Sequence, residues 1–312
     1  MAVIGIDVGG AHVKIVSGRE VFIRYCPLWS GAPLKELLLE DQSGQEKAAV
    51  VMSGELADCF PNKMDGIRWI CEQVMQVFPD AVFYGTDARF HRAPAPELAA
   101  ANWLVSADYL RVRYPDSVLV DIGSTTTDII PLSGFETLKG LTDLDRLRRG
   151  YLIYTGMLRT TIPALVREVD LDGIATPVST EYFACAADAH LVLGHIMPGH
   201  YTSDTPDNKE KNLESSRRRL ARVVCADLEE IGPEGADQIA REFYLAQKNL
   251  IISGIRKICD ESGTDDILFA GIGAGLYTKE IGGTDLSRII GPCSDALPAF
   301  CVREVAIRDV SW

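Results

Sequence analysis

Residues 5–11 read Gly5-Ile6-Asp7-Val8-Gly9-Gly10-Ala11, and residues 119–125 repeat the pattern as Leu119-Val120-Asp121-Ile122-Gly123-Ser124-Thr125. In each stretch an apolar run typical of a buried strand reaches an aspartate, a glycine turn follows, and a second strand pattern begins after the turn. The repetition predicts an α/β protein made of two related halves that face one another, with a boundary near residue 115.

The first loop, residues 7–14, has the composition of an anion-binding turn. Asp7 lies at the mouth of a strand, and Gly9 and Gly10 would permit positive φ and a close approach of the backbone. Successive N–H groups in such a turn form a concave anion site, which Lys14 on the return strand could also reach. A carboxylate repels phosphate, so we expect Mg²⁺ beside Asp7. Taken alone, the stretch is equally compatible with a hairpin closed by an acidic turn.

The second loop strengthens the phosphate interpretation. Asp121 again ends a strand, and Gly123 opens the turn. Four hydroxyl residues follow, namely Ser124, Thr125, Thr126 and Thr127. Hydroxyl and turn N–H groups donate hydrogen bonds to phosphate oxygens without adding fixed charge. An ordinary exposed strand would not explain why an aspartate flanks the run on each side. The two loops together favour phosphate binding, with Asp7 and Asp121 as metal ligands.

A third glycine-rich stretch follows a buried strand predicted at residues 267–271. It contains Gly271, Gly273 and Gly275. A lone Gly-x-Gly pattern is weak, and the stretch lacks an acidic residue about 20 positions on within a βαβ unit, which disfavours a dinucleotide-binding fold. We interpret it as a loop on which a flat group, such as a nucleotide base, would lie.

Composition limits the partners. The chain has 312 residues, of which 47% are hydrophobic and 24% charged, so it is long enough for two globular domains. The net charge of −13 argues against nucleic acid, which is bound through surplus Lys and Arg. A small phosphorylated ligand remains compatible with that charge, because a few N–H groups and a metal ion hold one locally.

Several features predict a cytoplasmic protein with no membrane partner. The N-terminus lacks a signal-peptide pattern, and no apolar run approaches the roughly 18–20 residues that cross a bilayer. The eight cysteines form no Cys-x-x-Cys motif and are expected to be mostly buried, reduced thiols. The sequence leaves the oligomeric state open, with a homodimer as one option.

Periodicity predicts the remaining elements. Helices are expected at 97–109, 155–167, 181–193, 213–228 and 235–258, a final strand at 302–307, and an exposed polar loop at 199–211. We assign residues 1–115 to an N-terminal domain completed by a C-terminal segment near 296–312, and residues 116–295 to a second domain with helical additions.

Other polar residues carry less information. Asp87 follows a predicted strand and could act as a general base, although a turn or capping role is equally compatible. His12 could contact a ligand, or it could be an exposed turn residue with no role in binding. The run 217–219, three arginines, is typical of a solvated helix face. His190, His195 and His200 recur every five residues, a spacing that disfavours a zinc site on one helical face.

The order of the three loops resembles the actin-like ATPase and sugar-kinase superfamily, in which two phosphate loops precede an adenosine loop. Within it the chain is similar to the hydantoinase A/oxoprolinase-related group and, more narrowly, to the methanofuran-biosynthesis synthases formerly labelled tetrahydromethanopterin-linked one-carbon pathway proteins. The narrower resemblance rests on Ser53-Gly54-Glu55-Leu56-Ala57-Asp58-Cys59-Phe60, Ala100-Ala101-Asn102-Trp103-Leu104, 121–131, Tyr154-Thr155-Gly156 and Tyr201-Thr202-Ser203-Asp204.

The resemblance implies a two-domain actin-like (ribonuclease H-like) α/β fold with a ligand cleft between the domains. It also implies transfer of an aminomethylfuran-methyl group from its diphosphate to the phenol oxygen of a γ-glutamyltyramine or tyrosine-type acceptor. In that reaction Asp7 and Asp121 would hold Mg²⁺, Lys14 would offset charge, and Asp87 would orient the phenol. Diphosphate would be bound by Gly9, Gly10 and residues 123–127.

Two other functions remain open. One is an ATP-dependent small-molecule kinase or ATPase that uses the same loops, and the other is a nucleotide-sensing subunit that regulates a partner. Adenosine contacts near 271–275 would favour either of them, whereas a cleft that accepts diphosphate without adenine would favour the transferase. Fold alone cannot choose among them, and the sequence does not decide whether ATP binds.

Overall fold

The structure, a computed structural model, describes residues 3–40 and 47–309, in which strands and helices alternate. The strands are β1 (Val3–Val8), β2 (His12–Ser17), β3 (Glu20–Tyr25), β4 (Lys47–Met52), β5 (Val82–Tyr84), β6 (Phe90–His91), β7 (Val118–Ile122), β8 (Thr127–Pro131), β9 (Leu152–Ile153), β10 (Glu168–Leu171), β11 (Ile174–Pro177), β12 (Ile267–Ala270) and β13 (Thr284–Asp285).

The α-helices lie between these strands and after them. They are α1 (Leu34–Glu40), α2 (Lys63–Val77), α3 (Asn102–Leu110), α4 (Asp143–Arg149), α5 (Ile162–Leu165), α6 (Ala186–Val192), α7 (Leu213–Arg222), α8 (Leu228–Ser262), α9 (Ala274–Ile281), α10 (Ser287–Ile290) and α11 (Leu297–Arg308). Short 3₁₀ turns include Leu28–Ser30 and Pro198–His200.

The two main sheets share one strand order. The first runs β3-β2-β1-β4-β5-β6 and the second β9-β8-β7-β12-β13. In both, the central strand (β1 or β7) pairs antiparallel with its hairpin partner on one side and parallel with a later strand on the other. The repeated order confirms an α/β, two-domain actin-like fold with two mixed sheets.

Helices α3 and α11 join the two sheets. Helix α11 packs on α3, β1 and β4, while α3 also contacts β8. Most of their buried residues belong to one apolar cluster that includes side chains from both sheets, such as Val51 and Ile130. Because both central strands carry nearly continuous apolar runs, each sheet needs cover on both faces, and these shared helices supply part of it.

The C-terminal segment corrects one prediction. Residues 302–307, predicted as a strand, lie within helix α11. The β-branched residues there suit a strand locally, but Val302 and Ala306 are buried with helical spacing. Gly5 permits the close packing, since a Cβ at that position would lie 1.8 Å from the carbonyl oxygen of Ala299.

Other helix predictions need correction as well. Residues 155–167 form only the four-residue helix α5, because most of the segment winds against the second loop. The helix predicted from residue 97 begins at Asn102, after Ala100 adopts φ +47°. Helix α7 ends at Arg222, and α8 contains a kink at Gly232, which has φ 67°. Tertiary contacts and single backbone torsions decided these ends, which periodicity does not report.

The domain boundaries stay a prediction, although α11 lies against the first sheet as a completing segment would. Parts of the predicted domains, residues 1–2, 41–46 and 310–312, lie outside the described residues. None of the helices in the described ranges has the length and apolar character that a bilayer crossing demands.

Candidate active site

The two predicted loops have the same backbone geometry. In the first, the N–H of Gly9 donates to the carbonyl oxygen of His12 at 2.9 Å, and in the second the N–H of Gly123 donates to that of Thr126, also at 2.9 Å. Both loops line a single cleft of about 200 Å³. Equivalent ends of two sheets with the same strand order therefore meet at one site.

The cleft brings together most of the residues singled out in the sequence. Those that line it are Asp7, Gly9, Gly10, Lys14, Asp121, Gly123, Ser124, Thr125 and Thr126. Their positions place two carboxylates, one ammonium group and a row of hydroxyl groups around the same space. This arrangement has the chemistry needed to hold a metal-bound anion.

The glycines of the first loop serve a different purpose from the one predicted. Neither Gly9 nor Gly10 has positive φ. Instead, a Cβ on Gly9 would lie 3.0 Å from the carbonyl oxygen of His12. Close packing continues behind each loop: a Cβ on Gly54 would lie 2.9 Å from the backbone of Gly9, and one on Gly156 2.7 Å from the backbone of residues 123–125. The absence of a side chain, not an unusual torsion, is what these positions need.

Burial dominates the electrostatics of the two aspartates. It raises the pKa of Asp7 to about 6 and that of Asp121 to about 7, while Lys14 opposes both shifts and Asp128 reinforces them. Asp7 also raises the pKa of Asp121, because the two carboxylates repel one another electrostatically. The Lys14 ammonium donates to the carbonyl oxygen of Asp295 at 2.7 Å. An additional cation between the two carboxylates would relieve this repulsion.

One buried atom points to such a cation. Oδ1 of Asp7 has no hydrogen-bond partner among the residues that the structure describes, although it is shielded from solvent. Within residues 3–40 and 47–309, no group of three or more His, Cys, Asp or Glu residues is arranged to hold a metal. Mg²⁺ commonly takes one or two protein carboxylates and completes its shell with water and substrate phosphate. The pair Asp7 and Asp121 fits that kind of site, and does not fit a dedicated protein cage.

The sequence interpretation missed an ion-paired wall of the cleft. Arg146 on α4 is buried, and its guanidinium bonds Asp128 and, at 2.8 Å, Asp143. The same guanidinium lies over the ring of Trp103, 4.6 Å from the centroid. Asp128 had a signal, as the aspartate that closes the second loop. Arg146 had none, because it lies in a helix with a polar, surface-like pattern.

His12 differs from the exposed turn residue that the sequence suggested. It is buried, lines the cleft, and lies 2.7 Å from the hydroxyl of Thr202 through Nε2. Burial lowers its pKa to about 4, with Lys14 and Arg159 adding to the shift. The imidazole is therefore neutral near pH 7.

Five of the predicted site residues are not among those that line the cleft. Asp87 does not line the cleft; its carboxylate accepts from the N–H of Arg89 and lies 3.1 Å from Nε2 of His91. Thr127 is buried and donates to the carbonyl oxygen of Thr155. The others are Gly271, Gly273 and Gly275, which do not line the cleft either.

Packing explains two of these glycines. A Cβ on Gly271, where φ is +79°, would lie 2.4 Å from Oδ1 of Asp121, and one on Gly273 would lie 2.5 Å from the side chain of Ile122. Both keep the start of α9 close against β7. These contacts show that the backbone is closely packed around Asp121 and Ile122, and a role of the glycine-rich stretch in binding a flat group stays a prediction.

The segment predicted as an exposed loop is partly buried. Tyr201, Ser203 and Thr205 are buried. The segment reaches the first half of the molecule, where Thr202 contacts His12 and Asp204 accepts from the hydroxyl of Tyr25 at 2.7 Å. Residues about 190 positions apart in the chain therefore contact one another beside the cleft.

A buried ion pair anchors that segment, and it corrects the interpretation of residues 217–219 as a solvated face. Arg219 and Asp188 are both fully buried and paired at 2.8 Å. Arg219 also bonds Asp207 and the carbonyl oxygen of Glu210, and the hydroxyl of Tyr201 donates to Asp188 at 3.3 Å. Arg217 and Arg218 pair with Asp237, Glu214 and Glu229 nearer the surface.

Two curated synthases are similar to this chain. A synthase from Methanocaldococcus jannaschii is 36% identical over 283 residues, 87% of this chain and 86% of the relative. Its product is named as a furan-2-yl methanamine bearing a phenoxymethyl group with a gamma-L-glutamylaminoethyl chain. A synthase of the same name from Methanococcus vannielii is 38% identical over 156 residues, 50% of this chain and 70% of the relative.

A solved structure supports the fold alone. Nucleotide-free acetone carboxylase is 8% identical, covers 96% of this chain and 70% of its own, and superposes with a TM-score of 0.51. The sequence profile of the hydantoinase/oxoprolinase family matches residues 46–301. The chain therefore belongs to the hydantoinase/oxoprolinase family and is a homologue of the methanofuran-type furan-methanamine synthases.

Proposed function

We propose that this protein is a transferase that joins an aminomethylfuran-methyl diphosphate to the phenol oxygen of a γ-glutamyltyramine or tyrosine-type acceptor, releasing diphosphate in methanofuran-type cofactor synthesis. The observation that carries the proposal is the pair of matching aspartate loops around one cleft. The relation to the Methanocaldococcus jannaschii synthase over most of both chains supports the choice of substrates.

The proposed reaction replaces one carbon–oxygen bond by another. The bond between the furylmethyl carbon and diphosphate breaks, and the electron pair leaves with diphosphate. The phenol oxygen then bonds the same carbon, and the phenol proton is released. A furylmethyl carbon tolerates positive charge, so stabilising the leaving group is the main requirement for the site.

The chain offers several groups for that task. Backbone N–H groups and the hydroxyls of Ser124, Thr125 and Thr126 can donate to diphosphate oxygens, while Lys14 adds a positive charge. Asp7 and Asp121 would hold Mg²⁺, which would neutralise the charge that develops on the leaving diphosphate. Thr127 and the three glycines at 271–275 are not needed in this scheme, because they do not line the cleft.

The phenol needs an orienting group, a role first suggested for Asp87. Asp87 lies outside the cleft and is engaged with His91. His12 is better placed, because it lines the cleft and is neutral near pH 7. A neutral imidazole can accept a hydrogen bond from a phenol, so we assign the orienting role to His12.

Calorimetric titration of the protein with diphosphate and, separately, with ATP, both in the presence of Mg²⁺, tests this function against the ATP-dependent kinase or ATPase. We expect tight binding of diphosphate, no binding of ATP, and turnover of the furanmethyl diphosphate with γ-glutamyltyramine. Asp121→Asn serves as the control that removes a metal ligand. ATP binding as tight as diphosphate binding, without furan transfer, would overturn the proposal and favour the nucleotide-dependent activity.

A further inference from the structure

An arginine that has no carboxylate partner in the described part of the chain lies in the cleft beside the second loop. Arg159 lines the cleft and is half-buried. Its guanidinium lies over the ring of Trp29, 4.3 Å from the centroid. It takes part in none of the ion pairs formed within residues 3–40 and 47–309. By contrast, Arg146 in the same cleft is matched by Asp128 and Asp143.

The two members of this pair are tied to opposite loops. The N–H of Arg159 donates to the carbonyl oxygen of Ser124 at 3.0 Å. The N–H of Leu28, the residue before Trp29, donates to the carbonyl oxygen of Gly10, also at 3.0 Å. Gly10 and Ser124 hold equivalent places in the two loops. Trp29 and Arg159 therefore stack on one another from segments that are each hydrogen-bonded to a different one of the two loops.

The surroundings indicate what the guanidinium would bind. An aromatic face holds an arginine in place while leaving the edge of its planar fork available for a carboxylate or phosphate. Tyr154, which also lines the cleft, exposes 70% of its surface and offers a further aromatic contact. A ligand with an aromatic ring and an anionic group complements these features, and bare diphosphate lacks the ring.

We infer that Arg159, held by Trp29, binds the free carboxylate of the phenolic acceptor, so that the two residues form an acceptor subsite next to the diphosphate loops. This inference rests on the proposed function, because the acceptor named there carries a γ-linked glutamyl group with a free carboxylate. Arg159 is the specificity-determining residue of the subsite, and Trp29 is a positioning residue. The competing source of the same anionic chemistry is the diphosphate itself.

Titration of the full chain with three probes distinguishes these sources. The probes are γ-glutamyltyramine, N-acetyltyramine, which lacks the carboxylate, and Mg²⁺-diphosphate. For Arg159→Met we expect affinity for γ-glutamyltyramine to fall about ten- to hundredfold, as for a lost charge-assisted hydrogen bond. Affinities for the other two probes should not change. Arg159→Lys should keep more affinity for γ-glutamyltyramine than Arg159→Met. Trp29→Phe should likewise keep more of this affinity than Trp29→Leu.

Three results would overturn the inference. They are an equal loss of affinity for N-acetyltyramine in Arg159→Met, a loss of affinity confined to diphosphate, and no phenol binding by the wild-type protein. Thermal unfolding of each variant shows whether the fold is kept. Binding is measured without turnover, so a wild-type protein that discriminates the two phenols but does not transfer furan would contradict the proposed reaction and leave the subsite standing.

Discussion

Lys14 and Asp128 occupy equivalent positions in the two halves of the molecule. Lys14 lies directly across the strand pair from Asp7, and Asp128 lies in the same register across from Asp121. One half thus sets a cation beside its aspartate and the other half a second anion, whose charge is balanced by Arg146. Equivalent positions of the two similar hairpins therefore carry opposite charges, so the two sides of the cleft differ in their electrostatics.

Replacing Lys14 should weaken anion binding. Lys14→Met removes the charge that opposes the raised pKa of both Asp7 and Asp121. We expect affinity for Mg²⁺-diphosphate to fall about ten- to hundredfold, the range for one hydrogen bond to a charged group. Titration calorimetry measures the change. Lys14→Arg, which keeps the charge, should lose less, and equal losses in both variants would contradict the electrostatic role.

Asp121→Asn should abolish metal-dependent turnover and yet stabilise the metal-free protein at high pH. The pKa of Asp121 rises from 3.8 to about 7 on folding, so the folded protein keeps a proton that the unfolded chain has lost in this window. The free energy of unfolding of the metal-free wild type therefore falls as the pH rises from the unfolded pKa to the folded pKa of Asp121.

We expect the variant to be about 4 kcal/mol more stable than the wild type above the folded pKa, and little different below the unfolded pKa. Thermal unfolding in a chelator, as a function of pH, checks this crossover. A variant with full metal-dependent turnover would remove Asp121 from the metal site, whatever its stability.

Gly156→Ala should disturb the second loop without touching a ligand. The added methyl group would meet backbone atoms of residues 123–125 at 2.7 Å, so the loop must shift. We expect diphosphate affinity to fall by at least about tenfold, because aligned N–H donors lose their geometry. Gly199→Ala is the matched control, since no atom lies within 4 Å of its added carbon. Unchanged affinity in Gly156→Ala would show that the loop tolerates the displacement.

His12→Asn tests the orienting role. The shorter side chain removes the neutral imidazole that faces the cleft, and we expect kcat to fall about a hundredfold, as for the loss of one proton-handling group. Diphosphate affinity should stay near the wild-type value. Thr202→Val removes only the partner of His12 and controls for loss of the contact between halves. Equal kcat values in the two variants would attribute the effect to that contact.

Arg219→Met should destabilise the segment that crosses to His12. The change leaves Asp188 buried without its cation, which typically costs about 3–5 kcal/mol. Arg218→Met, one residue away and exposed, should have little effect because its partners are solvated. Chemical denaturation measures both. Similar stabilities of the two variants would contradict the structural importance of the buried pair.

The sequence alone determined the two strand–turn loops and the arrangement they imply. Alternating and continuous apolar runs, an aspartate at each strand end and a following glycine are local signals, and they predicted the positions of Asp7, Asp121, Lys14 and the hydroxyl residues 124–126 in one cleft. The tertiary structure decided the rest of the cleft. Arg146 and Arg219 lie in polar helical stretches whose local pattern indicates a surface, and Arg159 follows the buried apolar residues Met157 and Leu158, where no local pattern indicates a cleft.

The same reason accounts for the wrong predictions. The local pattern of residues 302–307 is compatible with a strand or a helix. The helix forms because α11 packs closely on β1 at Gly5. The segment 199–211 is polar in sequence, yet a buried ion pair and contacts with His12 and Tyr25 hold it against the molecule. Contacts between residues far apart in the chain become favourable only once the sheets have formed, so no local pattern carries them.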